Sequence, residues 1–253
     1  MNSAILLSDK IILNREVLFM TIYPITALSD NYIWVIEEGS EAIVVDPGEA
    51  EGVLKHLADK ELYPAAILLT HDHDDHTAGV NKIQARFPDT PVYGPEETGE
   101  FTTVTLKDGD TFELMGQHFK VFLTVGHTNG HISLLMNEKA LFCGDALFSG
   151  GCGRVFTKDY QAQFASLKKF GELNDEVKVY AGHEYTEKNL NFAQSIEPDN
   201  QAVSDALDEV EKLRKDGRPT LPSTIGKEKE INLFLQAEAL EAFRDLRNAR
   251  DDF

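Results

Sequence analysis

Thr70-His71-Asp72-His73-Asp74-Asp75-His76 decides how this sequence is read. The run follows Ala65–Leu69, a short apolar segment that reads as a strand. Three His and three Asp fill the six positions after Thr70. Imidazole and carboxylate are the donors that divalent Zn, Fe and Mn prefer. A loop turning at a strand end can aim His71 and His73 one way and Asp75 and His76 the other. A solvated acidic loop would account for an isolated His pair. It does not account for an H-x-H-x-D-H run placed at a strand end.

Working outward, three more positions repeat the arrangement. Gly126-His127-Thr128 follows the strand expected over Phe119–Val125, Gly144-Asp145 follows Ala140–Cys143, and Gly182-His183 follows Val177–Ala181. Each candidate ligand stands just past the carboxyl end of a strand, where sites gather in α/β sheets. The glycine before each permits a tight backbone turn close to a cation.

Between these points strands alternate with short helices from Met20 to about Tyr185. Tyr32–Ile36, Ala42–Val45 and Ile132–Met136 read as strands; Glu51–Lys60, Ala78–Phe87 and Tyr160–Phe170 read as helices. After about Asn189 the strand signal ends. Gln201–Asp216 and Ile231–Arg250 carry apolar residues at helical spacing, with a loop expected over Pro222–Lys229. The expected organisation is an α/β catalytic domain over 20–189 and a small all-helical domain over 190–253. Residues 1–19 read as an extension without function: Ala4–Leu7 and Ile11–Leu13 are split by Asp9 and Lys10, which makes a poor signal peptide.

Composition narrows the partners. Lys plus Arg number 24 against 43 Asp plus Glu, a formal charge of −19, which argues against nucleic acid and against an anionic membrane surface. No apolar run reaches the roughly 18 residues a membrane span needs. Two cysteines, Cys143 and Cys152, make no disulfide framework and fit a cytoplasmic protein.

The ordered ligands resemble the metallo-β-lactamase superfamily, whose H-x-H-x-D-H run is followed by separate His, Asp and His. The resemblance implies an αββα sandwich and a binuclear site. His71, His73 and His127 would hold one metal, Asp75, His76 and His183 the second, and Asp145 would bridge them. Asp75 and Asp145 would be its catalytic carboxylates, and a metal-bridging hydroxide the nucleophile. Seven ligands with one shared carboxylate suit two cations about 3.5–4 Å apart. Zn is the expected metal, with Fe and Mn as alternatives, since the donor set suits all three.

Further segments narrow the resemblance. Thr26-Ala27-Leu28-Ser29-Asp30-Asn31-Tyr32-Ile33-Trp34, Leu147-Phe148-Ser149-Gly150-Gly151-Cys152-Gly153-Arg154 and Gly182-His183-Glu184-Tyr185-Thr186 resemble glyoxalase II, the hydroxyacylglutathione hydrolases. So does the helical C-terminal region. The resemblance implies hydrolysis of S-2-hydroxyacylglutathione thioesters, S-lactoylglutathione to lactate and glutathione, the second step of methylglyoxal detoxification. It implies a glutathione site at Arg154, Tyr185, Arg247 and Arg250. Phe156 stands where other members often have Tyr, and Thr157-Lys158-Asp159, Leu233 and Gln236 also depart from the family pattern. A monomer is expected.

Alternatives on the same scaffold are a mononuclear persulfide dioxygenase, which needs neither the bridge nor the C-terminal domain, and a nuclease or phosphodiesterase, which the acidic charge opposes. A metal-free interaction protein leaves seven ligand types unexplained. Of the other residues, His56 reads as surface, His118 as a loop residue, Trp34 as core and Cys143 as a buried thiol. His131 reads as either a supporting or a neutral position.

Overall fold

Two six-stranded sheets carry the apolar pattern, in a computed structural model that describes residues 20–253. The expected extension over 1–19 lies outside the described residues. The first sheet runs β1 (Thr21–Ala27), β2 (Asn31–Glu38), β3 (Glu41–Val45), β4 (Tyr63–Leu68), β5 (Val92–Gly94) and β6 (Val104–Thr105) in spatial order. Its first three strands are antiparallel, and β3 to β6 are parallel. The second sheet contains β7 (Thr111–Leu114), β8 (Gln117–Leu123), β9 (Ile132–Met136), β10 (Ala140–Gly144), β11 (Lys178–Ala181) and β12 (Ser223–Thr224), adjacent in that order. Only β10 and β11 pair in parallel.

Alternation along the inner strands assigns each residue to a layer. Tyr32, Trp34 and Ile36 of β2 and Ala66 and Leu68 of β4 face the core between the sheets. Ile33 and Val35, with Ile67 and Leu69, face outward against α1 (Glu51–Asp59) and α3 (Val80–Arg86). The short α2 (Asp74–Thr77) precedes α3. Val53 and Leu57 stand one helical turn apart on α1 and are fully buried there. Each such side chain stabilises the layer by about 1.5–3 kcal/mol. On the second sheet α4 (Tyr160–Gly171) buries Leu167 and Phe170. Asp159 caps it by accepting from the Ala162 amide at 2.9 Å. The order helix, sheet, sheet, helix is the expected sandwich.

The C-terminal region holds α5 (Thr186–Ile196), α6 (Gln201–Lys215), α7 (Ile225–Ile231), α8 (Leu233–Gln236) and α9 (Leu240–Asp252). It departs from the sequence reading in three respects. The loop expected over 222–229 is β12 followed by α7, because Thr224 caps a helix by accepting from the Lys227 amide at 3.1 Å. The helix expected over 231–250 is interrupted at Asn232, whose extended backbone and side-chain cap restart the chain as α8, and again before α9. The region is therefore helical except for β12, which pairs with β11 and extends the catalytic sheet. A boundary at 189 falls inside α5. His56 is not a surface residue: its side chain is 11% exposed and meets Glu37 Oε1 at 2.6 Å. His118 lies within β8.

The two sheets meet along one edge. Ile132 N donates to Thr70 O at 2.9 Å, and Tyr32 N donates to Gly182 O at 2.8 Å. Trp34 Nε1 reaches across to Ala181 O at 2.9 Å. These contacts bring the ends of β4, β8, β10 and β11 to one place.

Candidate metal centre

The seven residues singled out in the sequence converge at that edge. His71 leaves β4, His73 precedes α2, and Asp75 and His76 occupy its first turn, so the run is partly helical. Donor atoms of His71, His73 and His127 lie within 4.8 Å of one another, as do those of Asp75, His76 and His183. Asp145 touches both groups: its Oδ2 is 3.4 Å from His127 Nε2 and 3.4 Å from His183 Nε2, and its Oδ1 is 3.3 Å from His76 Nε2. The backbone must come close to allow this. A Cβ on Gly182 would lie 2.6 Å from Asp145 Oδ1, and Gly144 turns through φ +46°.

The proton positions follow from what stands behind each ring. His127 Nδ1 donates to Arg154 O at 2.9 Å, and His183 Nδ1 to Asp30 Oδ1 at 2.8 Å. His76 Nδ1 donates to Asp46 Oδ2 at 3.1 Å. Thr70 Oγ1 gives its proton to Asp46 Oδ2 at 2.7 Å, so it accepts from His71 Nδ1 at 2.9 Å. In the neutral form each of these imidazoles turns its bare Nε2 inward. Bare nitrogens then face one another at His76 Nε2 and His183 Nε2, 3.3 Å apart, and the bare Nε2 atoms of His71 and His127 both face His73 Nδ1, at 3.2 and 3.1 Å. Asp145 Oδ1 is buried without a hydrogen-bond partner. Converging lone pairs and an orphaned carboxylate oxygen fit divalent cations.

Burial disfavours charge on His76 and His183, but the surrounding carboxylates, Asp145 first, with Asp46 beside His76 and Asp75 and Asp30 beside His183, together outweigh it and lift them to about 10 and about 11. Burial likewise opposes ionisation of Asp145, yet His76 and His183 hold it well below the usual carboxylate range. The group calls for positive charge, which divalent cations bring.

Several supporting residues escaped the sequence reading, and His131, left there as either supporting or neutral, proves to be a supporting one. Asp46, at the end of β3, accepts from Thr70 N at 2.8 Å and from the Thr70 hydroxyl, and backs His76. Its position at a strand's carboxyl end was the available signal. His131 Nε2 accepts from the Asp145 amide at 3.2 Å while its ring stacks on His71, so it positions the carboxylate's backbone. Asn31 Nδ2 donates to Asp75 Oδ2 at 3.0 Å. Glu228 is wholly buried and accepts from Ser149 Oγ at 2.8 Å, Gly150 N at 2.8 Å and Asn232 Nδ2 at 3.1 Å. With Asn232, which also donates to Phe148 O and Gly151 O, it fastens the loop that leads from Asp145 to Arg154 onto the helical region.

Above these residues opens a cavity of about 790 Å³. Tyr185 stacks on His183 with ring centroids 4.7 Å apart. Phe156 is exposed at the mouth, edge-on to His73 and His127. Arg154, Arg247 and Arg250 line the wall with Lys188 and Asp251, neither of which the sequence reading named. The arginines differ in setting. Arg247 is buried, with Nη1 donating to Cys152 O at 2.7 Å and Nη2 to Asp251 Oδ1 at 3.0 Å. Arg250 is half-buried and reaches Asn189 Oδ1 at 3.2 Å. Arg154 donates from Nε to Asp251 Oδ1 at 3.2 Å.

Fold and donor set together define a member of the metallo-beta-lactamase superfamily, whose model matches residues 28–183. A second model, hydroxyacylglutathione hydrolase C-terminus, matches residues 184–253. A hydroxyacylglutathione hydrolase from Glaesserella parasuis is 51% identical over 92% of this chain and 100% of its own length. One from Haemophilus ducreyi is 45% identical over the same shares. The crystal structure of ETHE1 from Myxococcus xanthus superposes with a TM-score of 0.70 at 26% identity, covering 90% of each chain. A protein solved in a di-iron-bound form has a TM-score of 0.61 at 26% identity, over 84% of this chain and 99% of its own. The chain belongs to the hydroxyacylglutathione hydrolase family, glyoxalase II. The helical C-terminal match disfavours the dioxygenase alternative. Among the described residues no helix is long and apolar enough to cross a membrane.

Proposed function

We propose that this protein hydrolyses S-2-hydroxyacylglutathione thioesters, with S-lactoylglutathione the leading substrate, as the second step of methylglyoxal detoxification. The observation that carries the proposal is the pairing of one cavity's two ends: inward-facing imidazole and carboxylate donors at its floor and guanidinium groups on its wall. Relatives that bear the hydrolase name over their whole length support the substrate class.

In this reading His71, His73 and His127 would hold one divalent cation, Asp75, His76 and His183 would hold a second, and Asp145 would serve both. Zn is the favoured metal; Fe, supported by the di-iron-bound neighbour, and Mn are alternatives. Bound, the cation pair supplies a nucleophile from water at neutral pH and polarises the thioester carbonyl. Asp145, held ionised, keeps two of the facing imidazoles in register. Burial first, and Asp30 next, push the Tyr185 phenol above its ordinary range, so its hydroxyl stays protonated beside the site. Arg154, Arg247 and Arg250 supply the positive wall for the glutathione carboxylates, with Arg154 and Arg250 the more accessible. The departing thiol has an ordinary pKa of about 8.5, so it leaves as thiolate without a strong acid.

The catalytic domain then extends from 20 to the start of α5 rather than to 189, the substrate-binding domain follows from there to 253, and the protein acts as a cytoplasmic monomer. Two free, buried cysteines suit a reducing compartment. Metal analysis and parallel assays with S-lactoylglutathione and a thioester lacking glutathione test it. Two metals per chain and a strong preference for the glutathione thioester are expected. Equal rates on both substrates, or none with the metals bound, would refute it.

A further inference from the structure

Of the carboxylates that line the cavity, Asp251 is the one paired with its arginines, and its position is specific. Asp251 Oδ1 accepts from Arg154 Nε at 3.2 Å and from Arg247 Nη2 at 3.0 Å. Arg154 comes from the loop beyond Asp145, and Asp251 stands 97 positions later on α9. This ion pair is the polar contact of the Arg154 side chain among the described residues; its other neighbour is the Phe156 ring, 6.0 Å from the guanidinium carbon. Both Nη groups of Arg154 have no protein partner there. A guanidinium held by Nε alone keeps its Nη edge free for a second carboxylate.

Asp251 also makes the crowding of positive charge tenable. Burial, and then Arg247, disfavour the charge on Arg250, whereas Asp251 favours it. Arg247 is itself buried, and Asp251 is its carboxylate partner. Three guanidinium groups on one wall repel one another unless an anion lies among them.

We propose that Asp251 is a positioning residue for substrate recognition: it fastens Arg154 to α9 so that the catalytic loop and the helical region present one carboxylate-binding wall. This rests on the glutathione-thioester reading. The opposite reading of the same geometry, a side chain that occupies the arginines in competition with substrate, predicts an effect of opposite sign.

The test is a double-mutant cycle on the metal-loaded full chain, using Asp251→Ala, Asp251→Asn, Arg154→Ala and the Asp251→Ala/Arg154→Ala pair. Kinetics are measured with S-lactoylglutathione and with a thioester that lacks carboxylates. The Kd of S-methylglutathione is measured by calorimetry. Asp251→Ala raises KM and Kd about threefold, within the range of an exposed ion pair. kcat and metal content stay unchanged. Asp251→Asn recovers most of the loss, because its oxygen still accepts from both donors. The double variant is no worse than Arg154→Ala alone, and the carboxylate-free thioester is indifferent throughout.

A lower KM in Asp251→Ala would overturn the proposal in favour of competition. Multiplying penalties in the double variant, or equal losses on the carboxylate-free thioester, would overturn it in favour of a purely structural role. If Asp251→Ala does not fold because Arg247 is stranded, the same cycle is run in an Arg247→Met background, which removes the buried guanidinium. A wild-type chain that neither hydrolyses S-lactoylglutathione nor binds S-methylglutathione would remove the function itself. A normal wild type with unaffected Asp251 variants would remove this role alone.

Discussion

Replacing Asp46 by Asn isolates the contribution of a residue that stands behind the proposed metal centre. Asp46 is 4% exposed, and its carboxylate accepts from Thr70 N, Thr70 Oγ1 and His76 Nδ1 at 2.8, 2.7 and 3.1 Å. Hydrogen bonds to an ionised group contribute about 1.5–3 kcal/mol each. Asparagine can keep its oxygen on the Thr70 amide, but then its NH₂ faces the other two donors. The Thr70 hydroxyl can turn and accept, so the net stability loss is about 3 kcal/mol. The larger consequence is for His76. An amide N–H opposite Nδ1 pushes the imidazole proton to Nε2, the nitrogen that faces Asp145 and His183. Disturbing such a partner costs 10–100-fold in metal affinity, about 1.4–2.7 kcal/mol. Calorimetric titration of Zn into metal-depleted protein, beside urea denaturation of the same samples, separates the two effects. A folded Asp46→Asn protein that binds Zn as tightly as its parent would refute the argument that this carboxylate fixes the His76 tautomer.

Other outcomes follow from the same geometry. Asp145→Ala should lower metal content toward one per chain and abolish thioester hydrolysis; atomic-absorption counting with a near-normal rate would contradict the shared-ligand assignment. Glu228→Ala leaves Ser149 Oγ and Gly150 N without their acceptor, so a loss of about 3 kcal/mol is expected, read as a drop of several degrees in Tm. Arg247→Ala should lower Tm as well as substrate affinity, because the side chain is buried against Cys152 O, whereas Arg250→Ala should raise KM for glutathione thioesters with little change in Tm. Glu37 is held below the usual carboxylate range because Lys60 and His56 outweigh its burial. A depressed carboxylate stabilises the fold above its unfolded pKa and loses that contribution as pH falls through its folded value. Glu37→Gln should therefore be less stable than the parent at neutral pH, with the gap closing on acidification in a pH series of denaturation curves.

The centre's ligands were legible because their chemistry is local: residue type, position after a strand, and a glycine beside three of them. The inner strands were legible for a similar reason, since the unbroken apolar run of Tyr32–Ile36 and the apolar residues around Ser133 in Ile132–Met136 call for burial whatever surrounds them. The residues behind the ligands were not. Asp46 serves Thr70, 24 positions away, and Glu228 serves Ser149, 79 positions away, so beyond the place of Asp46 at a strand end nothing near either in sequence marks the partner it serves. The helical region was misread at Asn232 because apolar spacing continues across it, while the cap that ends one helix and starts the next is a side-chain hydrogen bond. The unequal arginines were also hidden: Arg247 and Arg250 share a helical face, yet only the packing of α9 on Cys152 shows which of them is enclosed.

Because the ligands come from loops on both sheets, the thickness of the interior acts as a gauge for the chemistry at its edge. Trp34 stacks on Tyr32, meets Tyr180 edge-on and holds Ala181 O, two residues before His183. Close-packed interiors transmit a change of volume rather than absorbing it. A smaller side chain at Trp34 would let the sheets settle toward each other and carry His183 relative to His71, which leaves the opposite sheet. The tolerance of the metal centre to substitution is thus set partly by aromatic residues that never touch a cation, in a core that looks purely architectural.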